Sequence, residues 1–242
     1  MELTINNLQK KIDGIEILKN INFQILSGDS VALVGANGAG KTTLINCILS
    51  IYTKYSGDIL LDGLNVRQEE CSKKRKEVAF MLDTTGLFAT LNAWDNIEFY
   101  DRIYNPRSSI AERKSRIDGI FKEISLEGKE KQLVTKYSKG MKQRLAIGRT
   151  MVTKPRLIVL DEPYLGLDVE GKYFLTQYLL KLKQAGCTIL LSSHDLTEIE
   201  KVCDKAIFIK QGELKAERNI SRCGDLEVVK SELEQMYTRV LM

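Results

Sequence analysis

The stretch "VALVGANGAGKTT", Val31 to Thr43, joins a short apolar run to three glycines, a lysine and two threonines. From Gly35 to Thr42 it matches G-x-x-x-x-G-K-S/T at every fixed position. Glycine lets the backbone wrap closely, so that several N–H groups converge on one anion. A helix begun at Lys41 aims the positive end of its dipole at the same point. The pattern therefore predicts a strand, a phosphate-cradling loop and a helix. Its contacts are expected from Gly35, Asn37, Gly38, Ala39, Gly40, Lys41, Thr42 and Thr43. Lys41 is expected on the β- and γ-phosphates of a nucleotide, and Thr42 on a Mg²⁺ ion.

A second stretch supplies the acid. "LIVLDEP" places four apolar residues, Leu157 to Leu160, before Asp161 and Glu162. A strand that delivers a carboxylate from its C-terminal end suits a metal beside a phosphate loop. Asp161 is expected to hold the metal through water, and Glu162 to face the water that attacks the γ-phosphate.

Periodicity gives the layout. Thr4-Ile5, Ile15 to Ile25, Val31 to Val34, Ile59 to Leu61 and Val78 to Leu82 read as strands, with a helix over Lys41 to Ser50. From about Leu91 to Met151 the pattern is helical and charge-rich. Strand-like runs return at Leu157–Leu160, Thr188–Leu191 and Ala206–Ile209, separated by helical stretches. This predicts one α/β domain over 1–242 with a mostly parallel sheet core and an N-terminal antiparallel β portion. The core falls at about 1–90 and 152–220, with an α-helical lobe inserted at about 91–151. Near the end, Leu226, Val229, Leu233, Met236 and Val240 recur at three and four residues, predicting an amphipathic helix over about 225–240 that packs on its own domain, with a dimer contact or a membrane-surface role as the alternatives.

Composition narrows the partners. With 242 residues, 43% of them hydrophobic, the chain can bury a large core. A net charge of +4 gives no argument for nucleic acid. No apolar stretch approaches the roughly 20 residues that span a bilayer, and "MELTINNLQK" lacks the pattern of a signal peptide. Five scattered cysteines with no C-x-x-C pair argue against a disulfide framework or zinc site and fit a reducing cytosol.

"YSKGMKQRLAIGR" (Tyr137 to Arg149) stands before "LIVLDEP", followed by "GLD" (Gly166 to Asp168) and "SSHD" (Ser192 to Asp195). In this order the chain resembles the ATP-binding subunit of ABC transporters over nearly its whole length. Ser138-Lys139-Gly140-Met141 falls on the family's signature, usually L-S-G-G-Q; the serine and second glycine are kept. The resemblance implies a P-loop NTPase of ABC type that binds ATP with Mg²⁺. It also implies a head-to-tail dimer, with a second copy or a homologous ATPase subunit. Each ATP would lie between one phosphate loop and the partner's Ser138 and Gly140. Ser138 as a helix N-cap agrees with that role. His194, the one histidine, takes the position the family uses to hold the γ-phosphate and attacking water, and Asp168 that of the dimer-crossing loop. The implied function is hydrolysis of ATP to power a separate membrane-spanning permease, from the cytoplasmic side of the plasma membrane.

Two positions depart from the family. Ile12 stands where an aromatic often stacks on adenine, so apolar contact survives without π-stacking. Asp83, in "AFMLDTTGLF", replaces a common glutamine and puts a carboxylate where metal and phosphate are expected. The missing glutamine, with T-x-G-L-F/Y and a helix over Ala93 to Tyr104, most resembles exporters of drugs, bacteriocins or peptides. Asp83-Thr84-Thr85-Gly86 also matches the D-x-x-G of GTPases, but no N-K-x-D accompanies it to read guanine. A soluble ABC-type ATPase acting on ribosomes or DNA is the alternative. Such proteins usually carry a second cassette, a long coiled coil or zinc-binding cysteines, and none is visible here.

Overall fold

The computed structural model describes residues 1–82, 86–220, 231 and 234–239. Four strands, β1 (Leu3–Ile12), β2 (Ile15–Ile25), β4 (Ser56–Leu61) and β5 (Leu64–Asn65), form an antiparallel sheet in the order β2-β1-β4-β5. A six-stranded sheet takes the order β10-β9-β3-β8-β7-β6. Its members are β3 (Ser30–Val34), β6 (Val78–Met81), β7 (Leu157–Asp161), β8 (Thr188–Ser193), β9 (Lys205–Lys210) and β10 (Glu213–Asn219). All its pairings are parallel except β9 with β10.

The parallel strands read as continuous apolar runs because both faces of their sheet are covered. The alternation of side chains sorts them. Val31, Leu33, Val159 and Ile207 pack with helix α1 (Lys41–Ile48) and the antiparallel sheet. Ala32, Val34, Ile158 and Phe208 face the opposite way, against α6 (Val169–Gln184) and α7 (Leu196–Val202). A short helix, α2 (Ser72–Arg75), leads into β6.

The helical lobe holds α3 (Ala93–Tyr104), α4 (Ile110–Glu123) and α5 (Lys139–Met151). It has its own apolar cluster, including Ile97, Ile117, Phe121 and Leu145. Asn92 caps α3, and a complete capping box of Ser109 and Glu112 starts α4. Helix α5 belongs to both bodies: Leu145 enters the lobe cluster, while the next two residues, Ala146 and Ile147, enter the sheet's.

The fold expected from sequence is the fold found, with differences at the edges. β1 extends well past Thr4-Ile5, α1 stops at Ile48, and β10 was not anticipated. β10 is a polar edge strand whose Leu214 and Ala216 alone pack inward, so it carries little apolar signal. Of the predicted C-terminal helix, Leu226, Val229, Leu233 and Val240 lie outside the described residues. Residues 234–239 are helical, and Met236 and Tyr237 pack against the sheet cluster.

Candidate active site

Three neighbouring parallel strands end at one place. β8 lies between β3 and β7, with Val34 opposite Ser193 and Asp161 opposite Ser192. The loop after β3, the acidic pair at the end of β7 and His194 after β8 therefore meet at the carboxyl edge of the sheet, where open α/β folds place ligands.

The loop after β3 is held close. A Cβ on Gly35 would stand 2.5 Å from the Ile209 carbonyl oxygen, so glycine is required by space alone. α1 starts from Gly40 with no side-chain cap, so no side chain competes for its first N–H groups. The cavity here, of about 320 Å³, is lined by Ala36 to Thr43 together with Ile17 and Glu162. The Lys41 ammonium is almost fully buried; it donates to the carbonyl of Gly35 at 2.7 Å and lies 3.3 Å from Glu162 Oε1.

Glu162 is the meeting point. Its other oxygen, Oε2, is 3.0 Å from His194 Nδ1. An ionised carboxylate only accepts, so Nδ1 donates and Nε2 of a neutral ring is left as acceptor. The Glu162 amide donates to Ser192 Oγ at 2.8 Å, and that hydroxyl donates to Asp161 Oδ1 at 2.5 Å. One serine thus joins the Glu162 backbone to the Asp161 carboxylate. Oε1 of Glu162 is buried and accepts no hydrogen bond despite its nearness to Lys41.

Gly35 adjoins the cavity, and the other expected loop residues line it. Asp161 is buried, does not line the cavity and is joined to it through Ser192. Ser138 and Gly140 are not among the lining residues. Ser138 caps α5, accepting from the Met141 amide at 3.2 Å. Asp168 caps α6 through the Gly171 amide at 2.7 Å, and its carboxylate lies 4.0 Å from where a Gly140 Cβ would be. The cavity is bounded by Ile17, on β2, and Ile12 is not among its lining residues. Asp83 lies outside the described residues. Sequence reasoning missed Ser192 and Ile17. A serine pair ending an otherwise apolar strand was the available signal for the first.

The sequence profile of the family described as ABC transporter matches residues 18–165, more than half of the chain. Among similar curated proteins is the SkfA peptide export ATP-binding protein SkfE of Bacillus subtilis, 35% identical, covering 88% of this chain and 87% of its own. Another is the lantibiotic transport ATP-binding protein SrtF of Streptococcus pyogenes, 32% identical over 93% of this chain and 94% of its own. A solved ATP-binding subunit of an ABC transporter superposes with a TM-score of 0.84 at 28% identity, covering 97% of this chain and all of that one. A dimeric ATP-binding cassette in a post-hydrolysis state, bound to ADP and Pi, superposes with a TM-score of 0.82 at 28% identity, over 90% and 99% of the two chains.

Proposed function

This chain belongs to the ABC transporter family and carries its ATPase domain, and on that premise we propose that it powers a separate membrane-spanning permease exporting a drug, bacteriocin or peptide. The observation that carries the chemistry is the meeting of Lys41 and His194 on Glu162, which lines the same cavity as Ala36 to Thr43. The export reading draws support from relatives named for peptide export and lantibiotic transport. Among the described residues no helix is long and apolar enough to cross a membrane, so the spanning part is assigned to a partner. The site of action proposed is the cytoplasmic face of that membrane.

In this reading the loop amides and Lys41 hold the phosphates of ATP. Glu162 takes the proton of the attacking water, and His194, donating from Nδ1, keeps the carboxylate turned toward it. Ser192 keeps the Glu162 backbone in register with Asp161. The donor set suits Mg²⁺: a hydroxyl at Thr42 and a carboxylate at Asp161 are hard oxygen ligands. The described residues contain no group of three His, Cys, Asp or Glu that could hold a metal alone. An ion completed by phosphates and waters is the Mg²⁺ mode, and bound there it would neutralise charge on the phosphates. Asp83 is proposed as a further oxygen near the metal. Ser138, Gly140 and Asp168, set apart from the cavity, are proposed to serve the nucleotide of a second ATPase subunit in a head-to-tail dimer.

The test is phosphate release from ATP. Glu162→Gln should still bind ATP and lose about 10²–10⁴-fold in turnover, the usual contribution of a positioned base. Near-normal hydrolysis by this variant removes Glu162 from the role. Isolation of the chain from its native membrane should bring down a protein with several apolar spans, and recovery with ribosomes or DNA instead would overturn the transport reading.

A further inference from the structure

Arg149 lies far along α5 from Ser138, near the helix end, and no step of the proposed chemistry uses it. It is nevertheless buried, with 6% of its surface exposed. Its guanidinium donates from Nη2 to the Phe80 carbonyl at 3.1 Å, and from Nη1 to the Gly86 carbonyl and to the Tyr100 hydroxyl, both at 3.2 Å. It also lies over two rings, 5.5 Å from the centre of Phe80 and 4.9 Å from that of Tyr100. A buried charge is expensive unless its donors are met, so this arrangement holds together only while all three groups stay in place.

Those groups come from different bodies. Phe80 belongs to β6, the edge strand of the parallel sheet. Gly86 belongs to the connection that leaves that strand for the lobe, and Tyr100 to the first lobe helix. Tyr100 closes the set by donating to the Gly86 carbonyl at 3.2 Å. Gly86 has φ +61°, and a Cβ there would fall 2.4 Å from Arg149 Nη1. The backbone at Gly86 and the guanidinium occupy one space, which only glycine leaves open.

The N-terminal half of α5 is tied to the other side of the site. Gln143 donates to the Pro163 carbonyl at 3.2 Å, one residue after Glu162, and Arg144 pairs with Glu170 of α6 at 2.6 Å. α5 is thus held in its N-terminal half beside the acidic pair and near its C-terminal end to the lobe connection.

We infer that Arg149 is a positioning residue that clasps the helical lobe to the sheet edge and so fixes the attitude of α5, and with it Ser138, relative to the phosphate cavity. The inference rests on the ATPase reading above. Lysine retains the charge but lacks the fixed fork that serves two carbonyls and a hydroxyl at once.

The test compares the wild-type chain with Arg149→Lys, Gly86→Ala and Tyr100→Phe. Each is measured for kcat, for KM of ATP and for amide hydrogen exchange. Arg149→Lys should lower kcat about tenfold with KM within about twofold, the signature of a lost arrangement rather than lost ground-state binding. Its faster exchange should be confined to residues 86–88 and 97–101. Gly86→Ala should reproduce the pattern with the arginine itself unsubstituted, and Tyr100→Phe should give a weaker form of it. If Arg149→Lys does not fold, Gly86→Ala and Tyr100→Phe decide alone. An unchanged kcat, or faster exchange across the whole chain with KM rising too, overturns the inference. If wild-type chain hydrolyses no ATP, the ATPase reading has failed and the exchange pattern still judges the clasp: local loss supports it, no loss or general loss overturns it.

Discussion

Glu162 shows how much one residue is asked to do. Its φ is +46°, a region that side chains other than glycine, asparagine and aspartate seldom enter. Such a conformation costs about 1–3 kcal/mol and persists only where the surroundings over-determine it. Here the Ser192 hydroxyl takes its amide, and Lys41 and His194 flank its two oxygens. The residue also bounds the same cavity as Ile17. A base lying against this aliphatic wall would meet the same apolar contact whatever its identity, with no edge read. GTP should therefore be hydrolysed with kcat/KM within about tenfold of ATP, since hydrophobic contact alone discriminates by about 1–3 kcal/mol. Steady-state rates with both nucleotides check this, and a preference for ATP above a hundredfold would reveal a specific contact to adenine.

At the scale of elements, one buried carboxylate ties two lobe helices together. Asp101 of α3 is fully buried and paired with Arg113 at 2.9 Å and Arg116 at 2.6 Å, both on α4. Burial alone would raise its pKa, but hydrogen bonds from Arg116, Arg113 and Asn105, with the Arg116 charge, outweigh that and hold it below the usual carboxylate value. A depressed carboxyl stabilises the fold above its unfolded pKa, and the gain is lost as pH falls through the folded one. Asp101→Asn leaves two arginines short of a counter-charge and should destabilise by about 3–5 kcal/mol, as removal of one partner of a buried pair does. Urea unfolding at neutral pH measures this. The difference from wild type should shrink below the folded pKa of Asp101; a difference that does not change with pH would show that the charge is not the cause.

At the scale of the molecule, one chain holds only part of the proposed machine. The cavity is built from β2, the phosphate loop and the end of β7, while Ser138 and Asp168 cap helices outside its lining. If two chains complete each other head to tail, hydrolysis is second order at low concentration. Turnover per chain should rise with chain concentration and then level off. Ser138→Ala should depress the plateau while leaving ATP binding to the single chain unchanged. Turnover independent of concentration from the lowest measurable level would mean that the single chain is sufficient.

The chain sequence determined the phosphate loop and the acidic pair, because each is a local pattern, glycine spacing and an apolar run ending in carboxylates; the histidine was marked by its place in the order of motifs that resembles the family. The chain sequence also determined the parallel core from local pattern, since strands buried on both faces read as unbroken apolar runs. Only the tertiary structure decided what depends on residues far apart. It put Ser192 between the Glu162 amide and the Asp161 carboxylate and Ile17 on the cavity wall, and it closed Arg149 on Phe80, Gly86 and Tyr100. It also added β10, whose seven mostly polar residues form a strand because β9 offers them a ladder. Local pattern is set by the chain's own spacing. A serine, an isoleucine or an arginine acquires its part from which strand ends and helix faces the packing brings beside it.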